Sequence, residues 1–336
     1  MKDGNKRGWR TLALLGCAFA ISALVFFQDA TQAQGRNEKE TMRLKEYPVK
    51  MDVKLGVGIA KIGEGKMHQL EVTLVEIPPG KQLPPQRHLA EEMIYIVSGQ
   101  GYTLIWNSAD AKKERYDWKE GDLVSPTLNS WRQHFNPSTS QPVRYLVVST
   151  APLTRKMFNN PAFLSSVGFA FDERFKDSVA HAEPKYLAGG TGAASVRMKV
   201  GHLLPNLRNR ELIDRGEGML GLTITPEGDM ANNSLLEMEV REFTRPDSTS
   251  PQHRHVWETV YLILKGDGYA TLQKDAGPDR RVDWTEGDLF LVEANEYHNH
   301  RPRERAGGRF LQIKASGYFR DLGLDPWLMQ NKPGSK

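Results

Sequence analysis

The chain has 336 residues, 39% of them hydrophobic and 26% charged, and 45 basic against 41 acidic side chains leave a formal charge of +4. That composition describes a soluble globular protein of roughly two domains at about 150 residues each, and it excludes a disordered, collagenous or multi-span membrane chain. The charge balance gives no electrostatic case for nucleic acid, and the single cysteine, Cys17, leaves no disulfide or thiolate centre in the rest of the chain. Any metal or nucleophile chemistry therefore falls to His, Asp, Glu, Tyr or Ser.

The first element is a leader. Lys2 to Arg10 is basic, Thr11 to Phe27 is almost wholly apolar, and Thr31-Gln32-Ala33 is a small-x-small site, the three parts of an export signal over residues 1–33. The apolar run is at the short end for a spanning helix, so an uncleaved membrane anchor through residues 11–27 stays open, as does lipidation at Cys17. The expected location is outside the cytoplasm, periplasmic or extracellular, with membrane contact only if the segment is uncleaved.

Two segments further on are copies of one another. Residues 84–102 read Pro-Pro-Gln-Arg-His-Leu-Ala-Glu-Glu-Met-Ile-Tyr-Ile-Val-Ser-Gly-Gln-Gly-Tyr, and residues 251–269 read Pro-Gln-His-Arg-His-Val-Trp-Glu-Thr-Val-Tyr-Leu-Ile-Leu-Lys-Gly-Asp-Gly-Tyr. Asp117-Trp-Lys-Glu-Gly-Asp-Leu123 recurs as Asp283-Trp-Thr-Glu-Gly-Asp-Leu289 at nearly the same spacing. This is a duplicated domain. Glu71 to Ile77 and Val260 to Leu264 are short, branched and bounded by Gly or Pro, as strands are. Trp-x-Glu-Gly-Asp reads as a turn between strands, with Gly supplying positive φ. Short strands without a long helical period predict an all-β sandwich or barrel in each copy. The first copy occupies 34–152, including an N-terminal arm, and the second 214–317. Residues 153–213 form a linker with a short helix or two, and the tail 318–336 carries one further helical turn.

The second copy concentrates imidazoles. His253 and His255 share a strand face because side chains alternate with period two, and His298 follows on a later strand. A barrel that aims these three at one point forms a site for a divalent transition metal with open positions. His300 shares the parity of His298 and is a candidate proton shuttle, with a structural role as the alternative. Tyr261 is a candidate pocket residue. His68, His181 and His202 fall outside both motifs and are expected at surfaces or in linkers.

These residues carry a family resemblance. Both copies resemble the cupin fold, in which Gly and His-x-His precede an acid and a later Gly, and a second block opens Gly-Asp and ends in a ligand His. Here the matching residues are His253, His255, Gly266, Gly287-Asp288 and His298. Thr259 stands where the family's glutamate ligand is expected, and Glu258 is one residue off, facing away. That pattern resembles the three-histidine bicupins, chiefly gentisate 1,2-dioxygenase with its salicylate and hydroxynaphthoate relatives. The resemblance implies an all-β fold of two tandem cupin (double-stranded β-helix, jelly-roll) barrels joined by a partly helical linker. It implies one metal per chain held by His253, His255 and His298, with Fe(II) expected and Zn, Cu, Ni or Mn as alternatives. It further implies a dioxygenase-like oxidoreductase whose partners are O2 and a small chelating substrate, a hydroxylated aromatic or organic acid, in a homo-oligomer. A non-catalytic exported cupin that binds a metal or small ligand is the alternative. In the first copy Gln86 and Arg132 replace two of the histidines while His88 and Glu92 remain, so that barrel reads as metal-free.

Overall fold

The computed structural model describes residues 40–181, 183, 185–187, 197–214, 218–224, 234–245, 248–249, 251–303, 307–324 and 329–334. The leader, with its signal, anchor and lipidation readings, lies outside the described residues. Among the described residues no helix is long and apolar enough to cross a membrane.

Each copy is a pair of facing antiparallel sheets. In the first, Val57–Ile62, Glu71–Ile77, Val143–Ser149, Glu92–Ser98 and Leu123–Val124 lie side by side, opposite a three-stranded sheet of Glu114–Lys119, Gln100–Trp106 and Trp131–Phe135. In the second, Glu237–Phe243, Arg309–Lys314, Thr259–Lys265 and Asp288–Val292 face Arg280–Thr285, Asp267–Gln273, Tyr297–Pro302 and His253–His255. The registers repeat as well. Gly101 pairs with Trp118 as Gly268 pairs with Trp284, and Thr103 pairs with His134 as Ala270 pairs with His300.

The repeated motifs fit one another physically. A Cβ on Gly101 would stand 2.4 Å from the Trp118 ring, and one on Gly268 2.4 Å from the Trp284 ring. The second glycine of Gly-x-Gly-Tyr thus makes room for the tryptophan of Trp-x-Glu-Gly-Asp. The Asp of that turn accepts the backbone N–H three residues back, Lys119 to Asp122 at 2.9 Å and Thr285 to Asp288 at 2.8 Å.

Strands Glu92–Ser98 and Thr259–Lys265 are apolar on both faces, which the alternation explains. Ile94 and Ile96 fill the first barrel, and Tyr261 and Ile263 fill the second. Met93, Tyr95 and Val97 instead meet Val260, Leu262 and Leu264 in a shared core between the barrels. Each buried side chain of this kind stabilises by about 1.5–3 kcal/mol.

Arms cross between the copies. Met42–Arg43 pairs with Leu289 and Asp288 of the second barrel, while Leu203–Leu204 pairs with Val124 and Leu123 of the first. Two buried glutamates add a reciprocal clasp. Glu258 accepts the backbone N–H groups of His68, Gln69 and Leu70, and Glu91 accepts those of Ser234, Leu235 and Leu236. Glu258 does face away from the histidine cluster, and this clasp is what occupies it.

Between the copies run helices Ala151–Phe158, Phe163–Ser166 and Asp172–Ala180. One expectation for this region needs correcting. His202 is not at a surface: it is fully buried, with Nε2 2.9 Å from Thr127 Oγ1 and Nδ1 2.8 Å from Tyr116 Oη. Its partners sit on the first barrel, so the connecting chain is drawn into that barrel's wall. His68 is exposed and His181 half-buried beside Asp177.

Candidate metal centre

The strand His253–His255 lies between Tyr297–Pro302, where His253 pairs with His298, and the tail strand Met329–Asn331. Period-two alternation turns His253 and His255 to one face, and the antiparallel partner brings His298 to the same point. One ring nitrogen from each lies within 4.8 Å of the others. His298 is fully buried, His255 nearly so, and His253 half-buried.

The hydrogen bonds decide which nitrogen is free. His253 Nδ1 is 2.9 Å from the Pro251 carbonyl, His255 Nδ1 is 2.7 Å from the Trp257 carbonyl, and His298 Nδ1 is 2.9 Å from the Glu296 carbonyl. A carbonyl only accepts, so each Nδ1 carries the hydrogen and each Nε2 keeps its lone pair. Buried His298 Nε2 has no hydrogen-bond partner among the described residues. Burial lowers the pKa of all three imidazoles, that of His298 to about 3, and the neighbouring imidazoles, Arg241 and Lys314 add to the effect. They are neutral at pH 7. Three neutral imidazoles with converging lone pairs, each oriented by a backbone carbonyl, fit a divalent transition metal. The Trp257 ring also stacks on His255, with centroids 4.6 Å apart and planes 12° apart.

The equivalent place in the first barrel is closed. Arg132, almost wholly buried, sets its guanidinium 2.7 Å from one Glu92 oxygen, while His88 Nε2 is 2.8 Å from the other. Arg132 also contacts His88. His88 Nδ1 accepts the Ala90 N–H, so its Nε2–H donates to Glu92, the opposite tautomer to His255. Burial would raise Glu92, but Arg132 and His88 override it and hold the carboxyl at about 2. Gln86 pairs with Arg132 through the backbone. The guanidinium stands where the second barrel has an open imidazole.

A family model described as a cupin domain matches residues 73–149. A gentisate 1,2-dioxygenase from Haloferax sp is 22% identical over 249 residues, 67% of this chain and 65% of that protein, so the match spans slightly under two thirds of the relative's length. Among solved structures, salicylate 1,2-dioxygenase from Pseudaminobacter salicylatoxidans superposes with a TM-score of 0.58 at 14% identity, covering 79% of this chain and 75% of that one. Oxalate decarboxylase from Lactobacillus farciminis, in a formate complex, gives 0.53 at 12% identity, covering 84% and 87%. The chain has a bicupin fold. It resembles gentisate 1,2-dioxygenase.

Within the bicupin, His300 is brought near the triad but does not join it. Its ring lies 5.6 Å from that of His298 and packs on Tyr261 at 4.3 Å. Burial drives its pKa well below the usual value, and its Nε2 has no partner among the described residues. In the first barrel the corresponding His134 bonds Thr103 Oγ1 at 2.8 Å, and Trp118 Nε1 donates to the same oxygen at 2.9 Å. Ala270 replaces that threonine, so Trp284 Nε1 is left without a partner too. Tyr261 is packed rather than open, stacked on Phe290 with centroids 4.9 Å apart.

The sequence reading missed a charged set in the same barrel. Glu237, Glu239 and Arg241 alternate with Met238 and Val240, which belong to the shared core, so the charged residues face inward. Arg241 Nε lies 2.8 Å from Glu239 Oε1, Gln312 donates to Glu239 at 2.9 Å, and Lys314 Nζ is 2.7 Å from Glu237. The first barrel has Thr73, Val75, Val147 and Ser149 in the registers of Glu239, Arg241, Gln312 and Lys314. The signal was available: Glu-x-Glu-x-Arg in one copy against Glu-x-Thr-x-Val in the other.

Proposed function

We propose that this bicupin is a mononuclear Fe(II)-dependent, dioxygenase-like oxidoreductase that acts outside the cytoplasm on a small chelating acid. The observation that carries the reading is the convergence of three Nε2 lone pairs on neutral imidazoles, each ring held by a backbone carbonyl. The likeness to a gentisate 1,2-dioxygenase supports the reaction class. When bound, iron supplies open coordination positions and redox chemistry between a chelating acid and O2. His253, His255 and His298 hold it. Arg241, half-buried and acting electrostatically on His253 and His298, binds the carboxylate of the acid through its remaining guanidinium N–H groups. Tyr261, Phe290 and Phe310 wall off one side and exclude water. His300, neutral and with a free Nε2, takes up or returns a proton there.

The test is anaerobic purification of the protein and of His255→Ala, with metal analysis and O2 uptake on hydroxylated aromatic and simple organic acids. About one iron per chain, lost in the variant, and acid-dependent O2 uptake are expected. Stoichiometric zinc or copper without O2 uptake would favour a ligand-binding cupin. No metal in either protein refutes the site.

A further inference from the structure

The segment after His255 is held by the other barrel. Gln69, in the first copy, donates from Nε2 to the Val256 carbonyl at 2.8 Å and accepts the Glu258 N–H on Oε1 at 2.9 Å. These two bonds flank Trp257, whose carbonyl orients His255 and whose ring stacks on it.

The first barrel satisfies the same backbone groups from within itself. Thr154 Oγ1 donates to the Leu89 carbonyl at 3.1 Å, and Thr150 Oγ1 accepts the Glu91 N–H at 3.0 Å. The strand registers place Ser149 opposite Glu92 and Lys314 opposite Thr259. Ala315 and Phe319 therefore stand where the first barrel has Thr150 and Thr154. Neither can hydrogen-bond through its side chain, and a buried carbonyl or N–H left without a partner is destabilising. Gln69 fills both roles from across the interface. On the reciprocal side, the register that pairs Glu71 with Ser149 and Glu237 with Lys314 puts Leu235 in the place of Gln69. The glutamate clasp is common to both copies, but the glutamine brace exists only beside the histidine triad.

We propose that Gln69, carried by the barrel without the triad, is a positioning residue for the triad, holding Val256 and Glu258 on either side of Trp257 so that His255 Nε2 stays aimed at the metal. The inference rests on the reading of His253, His255 and His298 as metal ligands. The barrel closed by Arg132 then has a role in the other barrel's chemistry: it completes the ligand strand.

The experiment compares the full-length iron-loaded protein with Gln69→Leu, the residue of the reciprocal position. Metal release to a chelator and hydrogen exchange at the backbone amides of 256–259 are read together. Full metal uptake at saturation, with release at least about 10-fold faster, is expected, as for other partners that orient a ligand, together with faster exchange at the Glu258 amide. Adding Ala315→Thr to Gln69→Leu returns a local acceptor for that amide and recovers its protection and part of the retention. Should Gln69→Leu fail to fold, Gln69→Met, which keeps the side chain's length, carries the same comparison. Unchanged release overturns the brace whether or not exchange moves. A wild-type protein that takes up no metal overturns the ligand reading itself, and the proposal with it.

Discussion

Replacing Arg132 by methionine removes the cation that closes the first barrel while keeping an apolar chain of similar reach. The magnitude follows from Glu92. Burial alone raises this carboxyl, yet Arg132 and His88 bring it from its ordinary 4.5 to about 2. At 1.36 kcal/mol per pH unit, this difference corresponds to about 3 kcal/mol favouring the ionised form. Without the guanidinium only the neighbouring imidazoles oppose burial, so at pH 7 the core either holds a carboxylate without its cation or protonates it, and both cost stability. Breaking a buried pair from one side costs about 3–5 kcal/mol. Arg132→Met should therefore lose that much in urea unfolding at pH 7, whereas Arg132→Met/Glu92→Gln, which removes both charges, should recover most of it. The pH dependence has a definite sign. A depressed carboxyl contributes its stability above 4.5 and loses it as pH falls toward 2, so wild type and single variant should converge across that window. A single variant within about 1 kcal/mol of wild type, or a double variant no better than the single, would refute the argument that Arg132 neutralises this core.

Two further outcomes follow from buried groups and the partners they have or lack. Ala270→Thr should restore the oxygen that Thr103 offers Trp118 and His134, raising stability in urea by about 1–2 kcal/mol; no gain would mean that Trp284 and His300 find partners another way. His202, buried and neutral, has its pKa lowered to about 3 by burial, so the unfolded chain binds its proton first as pH drops below 6.5. Stability should be flat above that pH and fall by about 2 kcal/mol for this imidazole between 6.5 and 5, with His202→Gln showing a shallower fall in unfolding midpoints measured at pH 7 and 5.

The architecture was legible because two motifs recur at nearly constant spacing, and each motif has a packing reason: the glycine at 101 or 268 gives way to the tryptophan at 118 or 284. Strand parity was enough to say that His253 and His255 point together and that Glu258 points elsewhere. What parity cannot supply is the other end of a contact. That Glu258 caps three amides of residues 68–70 depends on how two barrels dock. His202 was read as peripheral because nothing local marks burial; Tyr116 and Thr127, some eighty residues earlier, bury it. The inward charges at 237, 239 and 241 were visible as an alternation, but only the register against Gln312 and Lys314 gives them partners.

The two barrels answer one electrostatic question in opposite ways. Each gathers polar side chains at the same depth, and in an apolar core such a cluster must be completed by a partner. In the first, the Ala90 N–H turns His88 so that its Nε2–H meets Glu92, and Arg132 supplies the positive charge from inside the chain. In the second, carbonyls of Pro251, Trp257 and Glu296 turn three rings the other way. Among the described residues no arginine or carboxylate completes that trio, and His298 Nε2 is buried without a hydrogen-bond partner. That arrangement fits a cation supplied from outside the chain. The tautomer of one histidine, fixed by whether the backbone offers an N–H or a carbonyl two residues on, separates a barrel that closes itself from one built to take a metal.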